Sequence, residues 1–181
     1  ARGLTEQLRA LVAELGRMFI TDYDGFGASG SLHCINLRPH SSSNPWAPGA
    51  IIEAGGAGAR DRASRRGVAL EAFGADGTPA MRADEERLRW VLNQLLDNAI
   101  KFTPAGGHVT VSAGQVGGAV RLSVADTGPG IPPEKLAELF EAFHQLDGSS
   151  TRKQGGTGIG LALVKMIVEA HDSRVSLETA V

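Results

Sequence analysis

The chain has 181 residues, 42% of them apolar and 21% charged, with a formal net charge of −2; it has the means to bury one sizeable core and is no disordered segment. That balance carries no signature of a nucleic-acid or membrane-surface binder, and no stretch nears the roughly 18 consecutive apolar residues of a membrane span, nor does the start show a signal-peptide pattern. The single cysteine, Cys34, excludes an internal disulfide framework and a Cys-rich zinc site and fits a reducing compartment.

Leu4, Leu8, Leu11, Val12, Leu15, Met18 and Phe19 recur at helical spacing, which predicts an amphipathic helix over about 2–19. Residues 21–31 are rich in Gly, Asp and Ser and read as a loop. A short strand follows at Leu32–Leu37, then a second loop over 39–49. A Gly- and Ala-rich helix is expected from about Ala50 to Arg66, weakened by its glycines. Strands are expected at Val68–Phe73 and around Ala80–Arg82.

The clearest helix runs from about Asp84 to Phe102. Asp84 suits its N-cap, Glu85 and Glu86 suit the positive end of its dipole, and Pro104 with Gly106 close it. His108–Ala113 and Ala119–Ala125 alternate as two strands joined through Gly117-Gly118. Residues 132–157 are mixed and polar. A helix from about Gly158 to His171 and a strand at Arg174–Glu178 complete the pattern. Interleaved helices and strands place the chain in the α/β or α+β class.

Four stretches carry candidate chemistry. On the helix 84–102, Leu88, Val91, Leu92, Leu95, Leu96 and Ala99 form an apolar stripe, and Gln94, Asn98 and Lys101 form a polar one beside it. An amide oxygen suits Mg²⁺ and a lysine suits phosphate, although such a stripe also describes a solvated helix edge. Asp126-Thr-Gly-Pro-Gly-Ile131 follows a strand; its glycines allow close approach to the main chain, and Asp126 offers an acceptor for an amino group on a base, or the stretch is a plain turn. Gly155-Gly-Thr-Gly-Ile-Gly160 leads into a helix, where orphan N–H groups and the dipole bind phosphate. It fits neither a Rossmann fingerprint nor a Walker A loop, and the Ser/Thr-kinase motif set is absent. Between the glycine clusters lie Leu139-Phe-Glu-Ala-Phe143 and a polar stretch that suits a lid, from which Arg152 and Lys153 could reach phosphate or simply be solvated.

Taken in order, these stretches resemble the catalytic, ATP-binding domain of sensor histidine kinases, in the ATPase superfamily shared with gyrase, a heat-shock chaperone and MutL. Gln94–Phe102 (QLLDNAIKF) resembles the N box, Asp126–Ile131 the first glycine box, Phe140–Phe143 the F box, and Gly155–Leu163 (GGTGIGLAL) the second glycine box. The likeness is strong over about 84–171 and loose over 50–83. It implies a two-layer sandwich of a mixed sheet and helices (the Bergerat fold) that binds ATP and Mg²⁺ beneath a lid spanning about 132–154. It further implies that Asn98 coordinates Mg²⁺, that Lys101 lies near the phosphates, and that Asp126 accepts from the adenine amino group. Gly128, Gly130 and Ile131 would lie by the base and sugar, and Gly156, Thr157, Gly158, Gly160 and Leu161 by the nucleotide, with Arg152 and Lys153 as lid cations.

Hydrolysing relatives carry Glu one turn before the metal-binding Asn. Gln94 stands there in this chain, and an amide takes no proton at neutral pH. The resemblance therefore implies transfer to a nucleophile that needs no strong base, such as a neutral imidazole, with catalysis by positioning and charge neutralisation. The acceptor histidine of the family lies in a separate dimerisation domain, and none of His33, His40, His108, His144 and His171 has its surrounding motif. Residues 1–30 loosely resemble a remnant of that domain and its linker, with Gly30, Leu32 and Leu37-Arg-Pro39 fitting the comparison, and 31–181 the catalytic domain. His171-Asp-Ser173 replaces the usual His-Gly-Gly, and relatives continue beyond the position of Val181 into one more strand, so either the chain is shortened or the sheet has an exposed edge open to pairing. The expected partners are a dimerisation domain and a response regulator, with no nucleic acid and no membrane contact by this segment, in a cytoplasmic setting and a homodimeric full-length protein. A nucleotide-binding module without turnover and an anti-sigma-factor-like serine kinase are the competing readings.

Overall fold

The computed structural model describes residues 29–37, 45–73, 81–116, 119–136, 138–140 and 159–180. The elements in chain order are β1 (Gly30–Leu37), β2 (Pro45–Trp46), α1 (Pro48–Arg65), β3 (Ala69–Phe73), β4 (Met81–Arg82), α2 (Glu85–Phe102), β5 (His108–Val116), β6 (Ala119–Asp126), a 3₁₀ turn at Pro133–Lys135, α3 (Gly160–Glu169) and β7 (Arg174–Ala180). Five strands form one sheet in the order β3-β5-β6-β1-β7, and β2 pairs with β4 apart from it. The β3–β5 pair is parallel and the other pairs in the sheet are antiparallel, so the sheet is mixed, as expected. The helix expected over 2–19 lies outside the described residues.

The strand register sorts side chains into two faces. Val111, Val124 and Ile35 belong to the face that packs on Leu88, Leu92, Leu95 and Leu96 of α2, on Ile51 and Ile52 of α1 and on Val164 and Val168 of α3. This is one continuous core between a sheet layer and a helix layer. Leu32, Cys34 and Ala125 form a separate small cluster.

α1 forms despite its glycines because packing outweighs local propensity. Pro48 occupies its first turn, and Gly55 is buried against α2, where a methyl group would stand 3.0 Å from Cδ2 of Leu92. The glycines thus let the two helices approach closely. α2 starts at the expected cap, with Asp84 Oδ1 accepting from the Arg87 N–H at 3.1 Å.

Two findings go beyond the sequence reading. Gly30 and Ser31, assigned there to a loop and linker, pair in β1. β1 runs between β6 and β7, so β6 is an interior strand, and β3 and β7 are the edges among the described strands. Period-2 alternation is hard to see at a Gly-Ser start, because neither side chain advertises burial; Ser31 is nonetheless buried.

His171 is a structural tie. Its Nδ1 lies 2.8 Å from the Ile167 carbonyl oxygen and its Nε2 accepts from the Asp84 N–H at 3.2 Å, which fixes the neutral tautomer with the proton on Nδ1. It joins the end of α3 to the cap of α2. His171→Leu removes the acceptor for a helix-cap N–H and should lower unfolding stability by about 1–3 kcal/mol. Urea titration checks this; an unchanged midpoint would refute the role.

Candidate functional site: a cleft along α2

The cleft is built on the polar side of α2. Gln94 and Asn98 are half-buried, and so is Lys101, whose Nζ stands 4.9 Å from the centre of the Phe102 ring. At one end of this stripe lies the start of α3, since a methyl group on Gly160 would stand 2.8 Å from Oε1 of Gln94. At the other end lies the turn after β6, since a methyl group on Gly128 would stand 3.3 Å from the Phe102 carbonyl oxygen. Gln94 and Phe102 are about 12 Å apart along the helix axis, at about 1.5 Å per residue. The stripe therefore connects the N-terminus of α3 to the Asp126 turn.

Asp126 is the most perturbed carboxyl group in this cleft. It is 6% exposed and ends β6. Burial pushes its pKa up to about 6, against the pull of hydrogen bonds from the backbone N–H groups of Gly128 and Ser31. The Gly128 N–H lies 2.8 Å from Oδ1. A carboxylate has about four acceptor positions, so two such bonds leave capacity for an incoming N–H donor.

The turn that carries Asp126 is pinned on both sides. Thr127 Oγ1 accepts from the His108 N–H at 2.9 Å. Thr179 Oγ1 accepts from the Ile131 N–H at 2.8 Å and donates to the Gly30 carbonyl at 3.1 Å. Gly130 has φ +73°, and a Cβ there would lie 1.9 Å from the Ala180 carbonyl oxygen, so glycine alone fits. Gly128 is confined too, because its Cβ would stand 2.7 Å from the Asp126 carboxylate.

The sequence-expected residues Gln94, Asn98, Lys101, Asp126, Gly128, Gly130, Ile131, Gly160 and Leu161 thus lie along or at the ends of one helix and its flanking turns. Arg152, Lys153, Gly156, Thr157 and Gly158, with most of the expected lid, lie outside the described residues. No cluster of three or more His, Cys, Asp or Glu side chains suited to a metal occurs among the described residues. Sequence reasoning missed Ser31 and Thr179. Their hydroxyls lie 3.5 Å apart beneath the Asp126 turn, and only the strand register reveals them.

A mixed sheet under a layer of helices is the two-layer sandwich expected of the ATPase superfamily. Residues 83–181 match the family described as histidine kinase-, DNA gyrase B-, and HSP90-like ATPase, and the chain belongs to that family. It is 39% identical over 125 residues to the signal transduction histidine-protein kinase BaeS of Escherichia coli, covering 69% of this chain and 27% of BaeS. It is 47% identical over 100 residues to the circadian input-output histidine kinase CikA of Synechococcus elongatus, covering 55% and 13%. Among solved structures, it resembles full-length ShkA in complex with AMPPNP at a TM-score of 0.64 and 32% identity, over 78% of this chain and 31% of that one. The mycobacterial sensor histidine kinase MprB gives a TM-score of 0.62 at 27% identity, over 76% and 97%. The segment is a histidine kinase-type ATP-binding domain, and it spans about a quarter of the length of BaeS.

The raised Asp126 pKa has a stability consequence with a definite sign. Its folded value, about 6, exceeds the ordinary 3.8, so the folded state holds the proton more tightly than the unfolded one. The carboxyl costs nothing below pH 4; stability falls as pH rises from 4 to 6 and levels off above. Asp126→Asn should therefore match the wild type near pH 4 and exceed it at pH 7.5, by roughly 1–3 kcal/mol. Urea unfolding of both proteins across this range tests it, and parallel stability curves would show that the carboxyl is not strained by burial.

Proposed function

We propose that this domain binds Mg·ATP along α2 and transfers the γ-phosphoryl group to a histidine on a dimerisation domain outside this chain, as the catalytic part of a two-component sensor kinase. The observation that carries this is the stripe Gln94, Asn98, Lys101, bounded by buried Asp126 at one end and the α3 N-terminus at the other. Asp126 accepts the adenine amino group, and Gly128, Gly130 and Ile131 form the adjoining wall. Gly156, Thr157, Gly158, Gly160 and Leu161 serve the phosphates, whose charge suits the α3 dipole. Arg152 and Lys153 add cations from the lid.

The residues would suit a magnesium ion that shares its ligands with the phosphates of a bound nucleotide. Half-buried Asn98 would supply one hard amide oxygen to the ion, and Mg²⁺ typically takes one or two protein ligands beside phosphates and water. When bound, the ion neutralises phosphate charge. Lys101 supports it as a point charge. Gln94 orients by hydrogen bonding and cannot act as a base, which favours transfer to an imidazole over hydrolysis.

The acceptor is placed outside this chain because none of its five histidines carries the family's surrounding motif. His33 and His171 are buried, at 6% and 7% exposure, and His171 is fully engaged in the α2 cap. A dimerisation domain preceding the sheet, joined through the stretch before Gly30, would supply the histidine within a homodimer, and a response regulator would receive the phosphoryl group. The solved complex of the histidine kinase ThkA with the response regulator TrrA is a structural neighbour, at 18% identity and a TM-score of 0.59, and supports the fold alone. No described helix is long and apolar enough to cross a membrane.

A second reading rests on Gln94 and on the missing acceptor: a nucleotide-binding module whose ATP state sets partner contacts without turnover. Labelled ATP with a cognate dimerisation domain added in trans separates the two. Acid-labile phosphohistidine supports the kinase; binding without it supports the module. By calorimetry, Asn98→Ala should lose Mg²⁺-dependent ATP affinity by about tenfold or more, the scale of a lost contact to a charged group. Asp126→Asn should weaken adenine nucleotides and spare inorganic triphosphate. Unchanged titrations for both variants would defeat the site.

A further inference from the structure

β1 contributes more to the cleft than the backbone bond from Ser31. Register pairs place Val109, Asp126, Ser31 and Thr179 in one row across the sheet, and Val111, Val124, His33 and Leu177 in the next. Val109, Val111 and Val124 belong to the helix-facing core, so both rows look toward the helices. His33 is therefore one rung inward from Asp126, diagonal to it on the adjacent strand, at a side-chain separation of about 7–8 Å. It is 6% exposed, and neither ring nitrogen has a hydrogen-bond partner among the described residues. Its row neighbours Val124 and Leu177 are apolar, so the sheet offers the ring no side-chain partner there.

A buried imidazole with two unmatched nitrogens is costly in a core that valine or phenylalanine would fill. Here it sits beside the carboxylate that takes a base amino group. Adenine presents, next to its amino donor, the ring acceptor N1. Carboxylate plus imidazole N–H matches that donor–acceptor pair, whereas a carboxylate alone reads only half of it.

Resting on the nucleotide reading above, we propose that His33 is a base-contact residue: its ring N–H donates to adenine N1 while Asp126 accepts from the adjoining amino group. Burial lowers the pKa of His33 to about 4, so at neutral pH the ring is uncharged and keeps one N–H donor. The contact then adds no second charge to the pocket that holds Asp126.

The test is a matrix of ligands and variants of the full chain. Calorimetry measures ADP and 1-deaza-ADP, which lacks the N1 acceptor, against wild type, His33→Phe and His33→Gln. Phenylalanine keeps the ring volume without a donor, and glutamine keeps an N–H donor. Wild type should prefer ADP by about three- to tenfold, the scale of one neutral hydrogen bond. His33→Phe should lose that preference by weakening ADP alone, and His33→Gln should retain part of it. A thermal midpoint for His33→Phe at or above that of wild type certifies its fold. An undiminished ADP preference in folded His33→Phe would overturn the proposal and leave His33 as a packing residue. Failure of wild type to bind ADP at all would instead overturn the nucleotide reading on which it rests.

Discussion

A carboxylate taken out of water sets the terms for the rest of this domain. Asp126 ends β6 with its side chain on the helix-facing side of the sheet, where burial favours its neutral form. Two backbone N–H groups, from Gly128 and Ser31, offset part of that cost, and each needs its own support. The Gly128 donor requires a residue without a side chain, because a Cβ would displace the carboxylate. The Ser31 donor requires β1 to run beside β6. The turn then depends on Thr179, which ties Ile131 to Gly30 across two strands. A network so closely bound to one ionisable group lowers stability at neutral pH, which is the usual balance at a site built to bind.

α2 connects this end of the cleft to the other. One side supplies the largest share of the core, with Leu88, Leu92, Leu95 and Leu96 almost wholly buried. The other side offers amides and a lysine to the cleft. Because the same helix is held rigidly by its apolar face, its polar atoms keep fixed spacing from the Asp126 turn and from the α3 N-terminus. Such preorganisation would lower the ordering cost of the nucleotide binding proposed for this stripe. His171 reinforces it, since the cap of α2 hangs on the end of α3.

Much of this was legible in the residues. The 3.6-residue period of Leu88, Leu92, Leu95 and Leu96, with Asp84 at the cap, located α2 almost to the residue. Alternation located β5 and β6, and the glycine turn located Asp126 at a strand end. What stayed hidden has physical causes. Gly30 and Ser31 carry no hydrophobic signal, so the start of β1 read as linker. The helix α1 was expected but read as weakened by its glycines, and close packing on Leu92 is what the sequence did not show. Strand order is a non-local property, and nothing near His33 in sequence shows that it lies one rung from Asp126. The same holds for Thr179, whose hydroxyl meets Ser31 only through pairing across 148 positions.

That long-range pairing has a further consequence. Gly30 and Ala180 are register partners, so the described chain closes its sheet with its first strand beside its last. β1 is paired on both sides, with β6 and with β7, and contributes Ile35 and Leu37 to the core. The floor under Asp126 therefore exists only once β1 and β7 have paired. Contacts of such high sequence separation come at a loop-closure cost that local helices avoid. α2 can form from its own cap and stripe, whereas the carboxylate, its Ser31 donor and the Thr179 brace assemble together. Any change that loosens β1 should thus act on the Asp126 turn before it acts on α2, which separates the two energetically although they adjoin along one helix.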